Sequence, residues 1–310
     1  MSPDPAAMPA SPDQPPAASA DTPVLRAERF SFTYEGTRAP VLTDITLEVR
    51  RGEFLGIIGP TGAGKSTLLQ CLCGVIPFYT HGRREGAIYV KGREVTQYRG
   101  LADITSTISL VLQDPETQLF NLHVRDELAW GLENRGVPVP EIREAMRTAA
   151  AAFGVEHLLD RNTATLSGGE KQRVVVASVF ALRPEIVLLD EPTSELDPIG
   201  TELVFEAAGL LAAQGITVVM VEHKIEELVR YAHRLAVLED GRVSAIGPVR
   251  QVLESDASAR LDSYRPQVFQ VGLDLAARGL DVPTPPLTID EAVIMHQRLL
   301  SPAAIVGEGG

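Results

Sequence analysis

The sequence predicts an α/β protein built on a mainly parallel, buried sheet. Three continuous apolar runs, FLGIIG at 54–59, EIVLLD at 185–190 and ITVVMVEH at 216–223, are each followed by a helix-compatible segment. Parallel strands covered on both faces read this way, because crossover helices take both sides out of water. Between the first run and a helix, the chain reads GPTGAGKST at 59–67. Strand, glycine-rich turn and helix is the order that a phosphate-binding loop requires.

Residues 1–23, MSPDPAAMPASPDQPPAASADTP, are rich in Pro, Ala and Ser and poor in large apolar side chains. Such a segment cannot bury enough surface to offset its ordering, so a disordered tail is expected. It has neither the basic start nor the apolar stretch of a secretory signal. VLTDITLEV, from Val41, alternates apolar and polar residues as a half-buried strand does, and RRGE closes it with a turn. TGAGKSTLLQCLCGVI takes on helical spacing. From about 124 to 182 the pattern is mostly helical, including RDELAWGLEN and PEIREAMRTAAAAFG, and forms an insert between core strands. LAVLEDGRVSAIG reads as a hairpin turning at Asp240-Gly241.

Length and composition set limits on function. A chain of 310 residues supports a large core, as one big domain or one domain with an appendage. Its net charge of −13 argues against a nucleic-acid binder, whose footprint is a basic face, and against direct docking on anionic lipid. No run approaches the length needed to span a bilayer, so work at a membrane would need another chain to carry the span. Cys71 and Cys73 lie in one segment and make no disulfide framework; buried thiols in a reducing cytoplasm fit them. The six histidines have no ligand spacing, which argues against a metalloenzyme.

The motifs carry the chemistry. GPTGAGKST satisfies G-x-x-x-x-G-K-[ST]. Gly62 and Gly64 let successive N–H groups of Gly59, Pro60, Thr61, Gly62, Ala63, Gly64, Lys65, Ser66 and Thr67, Pro60 excepted, curl around phosphate oxygens. Lys65 is placed to reach the β- and γ-phosphates and the Ser66 hydroxyl to ligate Mg²⁺. Lysine is rare here, with Lys65, Lys91, Lys171 and Lys224 the full set of four. In EIVLLDEPTSELD, Asp190 ends a strand where it can hold Mg²⁺, and Glu191 beside it can deprotonate an attacking water. Taken alone, the same carboxylates could equally cap the next helix. LSGGEKQRVVVAS, 166–178, reads as a capping box with Ser167 as N-cap and Glu170 three residues on. A glycine-flanked helix start with a hydroxyl is also an anion site, so capping and binding are compatible.

Phosphate loop, glutamine, LSGGE, LLDE, SELD and the strand-terminal His223 follow one another across residues 59–223. In that order they resemble the ATP-binding cassette (ABC) ATPase family over roughly residues 25–250. The resemblance implies a P-loop fold with a mainly parallel core sheet, an antiparallel β subdomain and a helical subdomain at about 124–182, within an ABC ATPase domain at 24–250. It implies ATP and Mg²⁺ held between two cassettes set head to tail. On that basis Gln113 touches Mg²⁺ and water, and Ser167, Gly168 and Gly169, with Glu170 in the signature's last position, face the γ-phosphate of the opposite site. Asp197 crosses the interface, and His223 holds the γ-phosphate and supports the water beside Glu191. Tyr34 sits where the family stacks an aromatic on adenine, although Phe30, Phe32 and Tyr34 also alternate as strand residues would. Glu170 replaces the usual Gln, and Lys224 follows His223 in place of the commoner Asp.

VLQDPETQLF and VEHKIEEL are similar to the ATPases of energy-coupling factor (ECF) transporters, membrane importers of vitamins or transition-metal ions. VRDELAWGLEN and a C-terminal helical extension at 251–310, opened by a capping box at TIDE (288–291), continue the likeness. The resemblance implies a second cassette, identical or paralogous, a transmembrane scaffold, a substrate-capture membrane protein, and a place at the cytoplasmic face of the membrane. In this reading Asp114 and Glu116 receive arginines of the scaffold's coupling helices and Phe120 packs against them. A conventional importer ATPase is the nearer rival. A non-transport cassette protein would normally carry two cassettes, a long coiled coil or a basic face, none of which the sequence has.

Overall fold

A computed structural model describes residues 23–259 and 264–300; the expected disordered tail lies outside them, apart from Pro23. Among the described residues, ten strands make two sheets. In chain order they are β1 (Pro23–Tyr34), β2 (Leu42–Arg50), β3 (Phe54–Ile58), β4 (Gly82–Val90), β5 (Arg93–Glu94), β6 (Ile108–Val111), β7 (Ile186–Asp190), β8 (Thr217–Val221), β9 (Arg234–Glu239) and β10 (Arg242–Pro248). The six-stranded sheet has the order β10-β9-β3-β8-β7-β6 and is parallel except for its β10 edge. The second sheet, β2-β1-β4-β5, is antiparallel.

All three apolar runs become central strands, and β3, β7 and β8 are buried at every position. Because side chains alternate across a strand, each run feeds two cores at once. Phe54, Ile58, Val187, Leu189, Val218 and Met220 join one cluster with the helices. Leu55, Ile57, Ile186, Leu188, Val219 and Val221 join a second, between the two sheets. β2 alternates buried and exposed as its sequence pattern dictates, since only one face meets that second cluster. The β9–β10 hairpin turns at Asp240 and Gly241, both with positive φ (46° and 71°), the geometry of a type I′ turn.

Strand order positions the site. β6, β7, β8 and β3 are parallel neighbours, with Val111 opposite Leu189, Asp190 opposite Val221, and Ile57 opposite Val221. Their carboxyl ends therefore open on one edge, where ligands of α/β sheets bind. Gln113, Asp190-Glu191, His223 and the loop at 59–67 each lie within two residues of one of these ends.

Between β6 and β7 the insert contains the helices Val124–Asn134, Val139–Ala152 and Gly168–Ala181, packed on one another and on the first cluster. After β10 the extension contributes helices Gln267–Ala277 and Ile289–Leu300. Phe269 is fully buried in the first cluster, and Gly272 lies so close to Pro285 and Pro286 that a Cβ would come within 2.6 Å of the latter's ring. The capping box expected at TIDE is half formed. Thr288 Oγ1 accepts from the Glu291 N–H at 3.2 Å, but Glu291 Oε2 takes the Leu287 N–H (2.7 Å) and pairs with Arg250 (3.1 Å). The cation of Arg250 draws that carboxylate one residue upstream of the cap.

Candidate active site

The glycine-rich loop is fixed by close approach. Gly59 has a φ of 148°, and a Cβ there would lie 2.0 Å from the Leu238 carbonyl oxygen, so no larger residue fits. Thr61 and Gly62 are exposed at its crest, Ala63 and Thr67 are buried, and Pro60, Gly64 and Ser66 are half-buried. Gly64, with a φ of 98°, opens the helix Lys65–Leu72. Lys65 is buried, and its Nζ donates to the carbonyls of Gly59 (2.7 Å) and Pro60 (3.1 Å). Burial draws its pKa down, while the charges of Glu191 and Asp190 oppose that. The Tyr34 hydroxyl pairs with Thr67 Oγ1 at 3.0 Å, which sets this aromatic beside the loop's last residue.

Asp190 is buried at the end of β7, and its Oδ1 has no hydrogen-bond partner. Burial pushes the carboxyl above its ordinary range, the neighbouring Ser66 hydroxyl acts against that, and the Glu191 charge adds to it. A buried carboxylate oxygen without a donor is costly, and a divalent cation is the group that relieves it. The residues present therefore fit Mg²⁺.

Glu191 follows in a left-handed backbone conformation (φ 47°), its N–H bonded to the Val221 carbonyl at 2.9 Å. That turn aims its carboxylate across the strand ends. Oε2 accepts from Gln113 Nε2 at 3.0 Å, and Oε1 pairs with His223 Nε2 at 2.9 Å. Three residues far apart in sequence thus share one carboxylate. A non-glycine residue held at positive φ is a strain of about 1–3 kcal/mol, and such strain gathers at sites of function.

Around this chain are residues that the sequence reading missed. Glu222, buried, accepts from the Thr193 hydroxyl (2.6 Å) and N–H (3.1 Å) and from the His223 N–H (3.0 Å). It ties the segment after Glu191 to the residue that meets Glu191. Lys224, noted only as a departure, donates to the Thr193 carbonyl (3.0 Å) and Thr201 Oγ1 (2.7 Å), bracing the same segment. Tyr264, from the extension, pairs with His223 Nδ1 at 2.9 Å and donates to the Gly59 carbonyl at 2.6 Å. Nothing local in SYRPQ signals this contact, since it depends on how the extension returns to the sheet edge.

The second group of predicted residues stands apart. Ser167 caps the helix Gly168–Ala181 and forms the complete capping box with Glu170. Gly168 and Gly169 pack on Glu195: a Cβ on either would lie 3.3 Å or 3.2 Å from Glu195 atoms. Asp197 caps the helix Pro198–Ala213 through the Gly200 N–H at 2.7 Å. Ser167, Gly168 and Asp197 are exposed. Among the described residues, none of this group hydrogen-bonds to the loop at 59–67 or to Glu191.

The ABC transporter family profile matches residues 42–194. An energy-coupling factor transporter ATP-binding protein of Caldanaerobacter subterraneus subsp. tengcongensis is 38% identical over 275 residues, which is 87% of this chain and 97% of that one. The chain belongs to the ABC transporter ATP-binding family. Among solved ABC structures, cbiO1 of Clostridium perfringens, described as part of the complex cbiONQ, superposes with a TM-score of 0.67 at 30% identity, over 84% of this chain and 98% of that one. A dimeric ATP-binding cassette in a post-hydrolysis state with ADP and Pi gives a TM-score of 0.65 at 25% identity, over 73% and 99%. The two-sheet core and helical insert described above are thus those of an ABC cassette.

In this cassette the turn after Gln113 is tightly built. The Asp114 carboxylate accepts from the Glu116 N–H at 2.9 Å and caps a short 3-10 turn. Gln118 bonds the Leu112 N–H (2.7 Å) and the Leu110 carbonyl (3.0 Å), fastening the turn to the end of β6. Glu116 forms an ion pair with Lys171 of the LSGGEK helix, which holds its carboxyl below the usual range. Glu116, expected to receive an arginine of a scaffold, is thus already paired within the chain. Buried Glu127 accepts from the Phe120 N–H (3.1 Å), the Asn121 N–H (2.9 Å) and Asn121 Nδ2 (3.0 Å). Phe120 is left 72% exposed, beside the exposed Leu122 and Trp130.

Proposed function

We propose that this chain is the ATP-hydrolysing subunit of an ECF-type importer for a vitamin or transition-metal ion, the substrate being chosen by a membrane partner that captures it. The observation that carries the hydrolytic part is the Glu191 carboxylate held at both oxygens, by Gln113 and His223, one residue from a buried Asp190 with an unpaired oxygen. A carboxylate fixed in direction next to a cation-binding position is what a general base for water requires. Ser66, Gln113 and Asp190 would hold Mg²⁺, which supplies charge neutralisation on phosphate oxygens. Lys65 and the amides of the loop bind phosphate, and Tyr34 offers its ring to adenine. Ser167, Gly168, Gly169 and Asp197 serve the site of a second cassette.

The importer part rests on the surface after Gln113. An acidic turn braced by Gln118 and Lys171, next to exposed Phe120, Leu122 and Trp130, suits a basic, partly apolar helix of a transmembrane scaffold. Among the described residues no helix is long and apolar enough to cross a membrane. By likeness to the ECF transporter ATP-binding relative, the proposed place is peripheral, on the cytoplasmic face and bound to a scaffold. Glu191→Gln keeps the shape of the site but removes its base. Nucleotide binding is expected to persist while turnover falls by about 10²–10⁴-fold, the usual share of a general base. Phosphate release and nucleotide titration measure the two, and near wild-type turnover in this variant would sink the assignment.

A further inference from the structure

His223 meets Glu191 through one ring nitrogen, and the other nitrogen is held by a residue from a different part of the chain. Tyr264 follows the hairpin β9–β10 and the helix Val249–Leu253, and it is 7% exposed. The residues that follow it are anchored. Arg265 donates to the Leu253 carbonyl (3.1 Å) and to Ser258 Oγ (3.3 Å), Ser258 being fully buried, and Phe269 is fully buried one helical turn later. The Tyr264 ring tilts against the His223 ring at a centroid separation of 5.8 Å.

The hydrogen-bond inventory decides what this contact does. A phenol carries one proton, and that of Tyr264 is directed at the Gly59 carbonyl, 2.6 Å away, which can only accept. The Tyr264 oxygen is thereby left as an acceptor toward His223 Nδ1 at 2.9 Å, so Nδ1 must carry a proton. Burial and the Glu191 charge push the phenol's pKa up, so it retains its proton. The partner of one ring nitrogen sets what the other presents to the site. Here that is Nε2, 2.9 Å from Glu191 Oε1; since an ionised carboxylate only accepts, this contact needs a second proton, on Nε2 or on Glu191.

We propose that Tyr264 is a positioning residue for hydrolysis: it fixes His223 with Nδ1 protonated and Nε2 turned to Glu191, and anchors the C-terminal extension to the phosphate loop through the Gly59 carbonyl. The inference rests on the hydrolytic reading of Glu191 and His223. It makes the extension part of the ATP site, so a displacement of the extension reaches the imidazole without passing through the sheet. Gly59 also accepts from Lys65, so this one carbonyl takes one hydrogen bond from the loop's own lysine and another from the extension.

Tyr264→Phe in the full chain removes the hydroxyl and keeps the ring. Expected are a fall in kcat of about 10-fold, by analogy with losing the hydrogen bond that orients a ligand histidine, and a KM for ATP within about twofold of wild type. In a His223→Ala background, Tyr264→Phe is expected to cost nothing further, because the two act as one unit. Nitrogen-15 spectra of histidine-labelled protein, with the His223 signal assigned by its loss in His223→Ala, report which ring nitrogens carry a proton. Nδ1 protonated in the wild type and a mixed tautomer in Tyr264→Phe support the proposal. Unprotonated Nδ1 in the wild type, an unchanged tautomer in the variant, or a full additional loss in the His223→Ala background overturns it. Wild-type turnover in His223→Ala alone would instead remove the hydrolytic reading, with the tautomer result still deciding on Tyr264.

Discussion

Asp190 and Glu191 are covalent neighbours in opposite environments. One is buried with an oxygen unpaired; the other is turned outward by a positive φ and clamped at both oxygens. The division of labour proposed for them follows from those surroundings and not from residue type. The cysteines show the converse, two reactive groups made inert by burial. Both thiols are free and buried, and burial pushes Cys71 up and Cys73 up to about 11. A free thiol ionises near pH 8.5, so the unfolded chain ionises first. The stability this contributes is fully present below about pH 8.5 and is lost as pH rises toward 11 for Cys73. A thiol-specific reagent at about pH 8 is expected to label neither cysteine in the folded chain and both after addition of denaturant. Labelling in the native state would contradict that. At this scale the sequence was readable where residues belong to ordered motifs, as Gln113, Asp190, Glu191 and His223 do. Glu222, Lys224 and Tyr264 were not readable, because each acts through a contact made only when distant segments meet.

The element most changed by the structure is the segment from Gln113 to Asn134. Its sequence suggested an acidic, apolar-tipped turn offered to a partner. The fold adds what holds that turn in shape: Gln118 onto β6, Glu116 onto Lys171, and Glu127 beneath Phe120 and Asn121. The Glu116–Lys171 pair is solvent-exposed on the glutamate side, so by itself it contributes little stability. Its consequence is geometric, a link between the turn that follows Gln113 and the helix capped by Ser167. Asp114→Lys combined with Glu116→Lys reverses the charge offered to the scaffold and repels Lys171. The expected result is loss of co-purification with the membrane scaffold at unchanged ATP affinity. Intact co-purification would remove the coupling role of this turn. The strands and the β9–β10 hairpin were legible from burial periodicity and from Asp240-Gly241. The half-formed cap at Thr288 was not, because the competing cation, Arg250, lies 38 residues earlier than Thr288.

At the scale of the whole molecule, the predicted site residues fall into two groups. One contains the loop at 59–67, Asp190, Glu191 and His223; the other exposes Ser167, Gly168 and Asp197, with no hydrogen bond to the first among the described residues. The proposed function takes two cassettes placed head to tail, each lending its signature helix to the other's loop. Symmetry turns this into a test. Lys65→Ala disables a chain's own loop. Ser167→Arg blocks the surface it lends, at a helix-capping cost of about 1 kcal/mol, which a domain of ordinary stability tolerates. In a dimer formed from one copy of each, one composite site has both defects and the other has neither. Each variant alone is therefore expected to be nearly silent. An equal mixture, refolded or co-expressed so that subunits exchange, should recover about a quarter of wild-type turnover, because half the dimers are mixed and each has one sound site of two. A mixture that stays silent, with both variants folded and dimeric by scattering, would show that the loop of one copy is not completed by Ser167 of another. The second half of the site would then have to come from a different cassette.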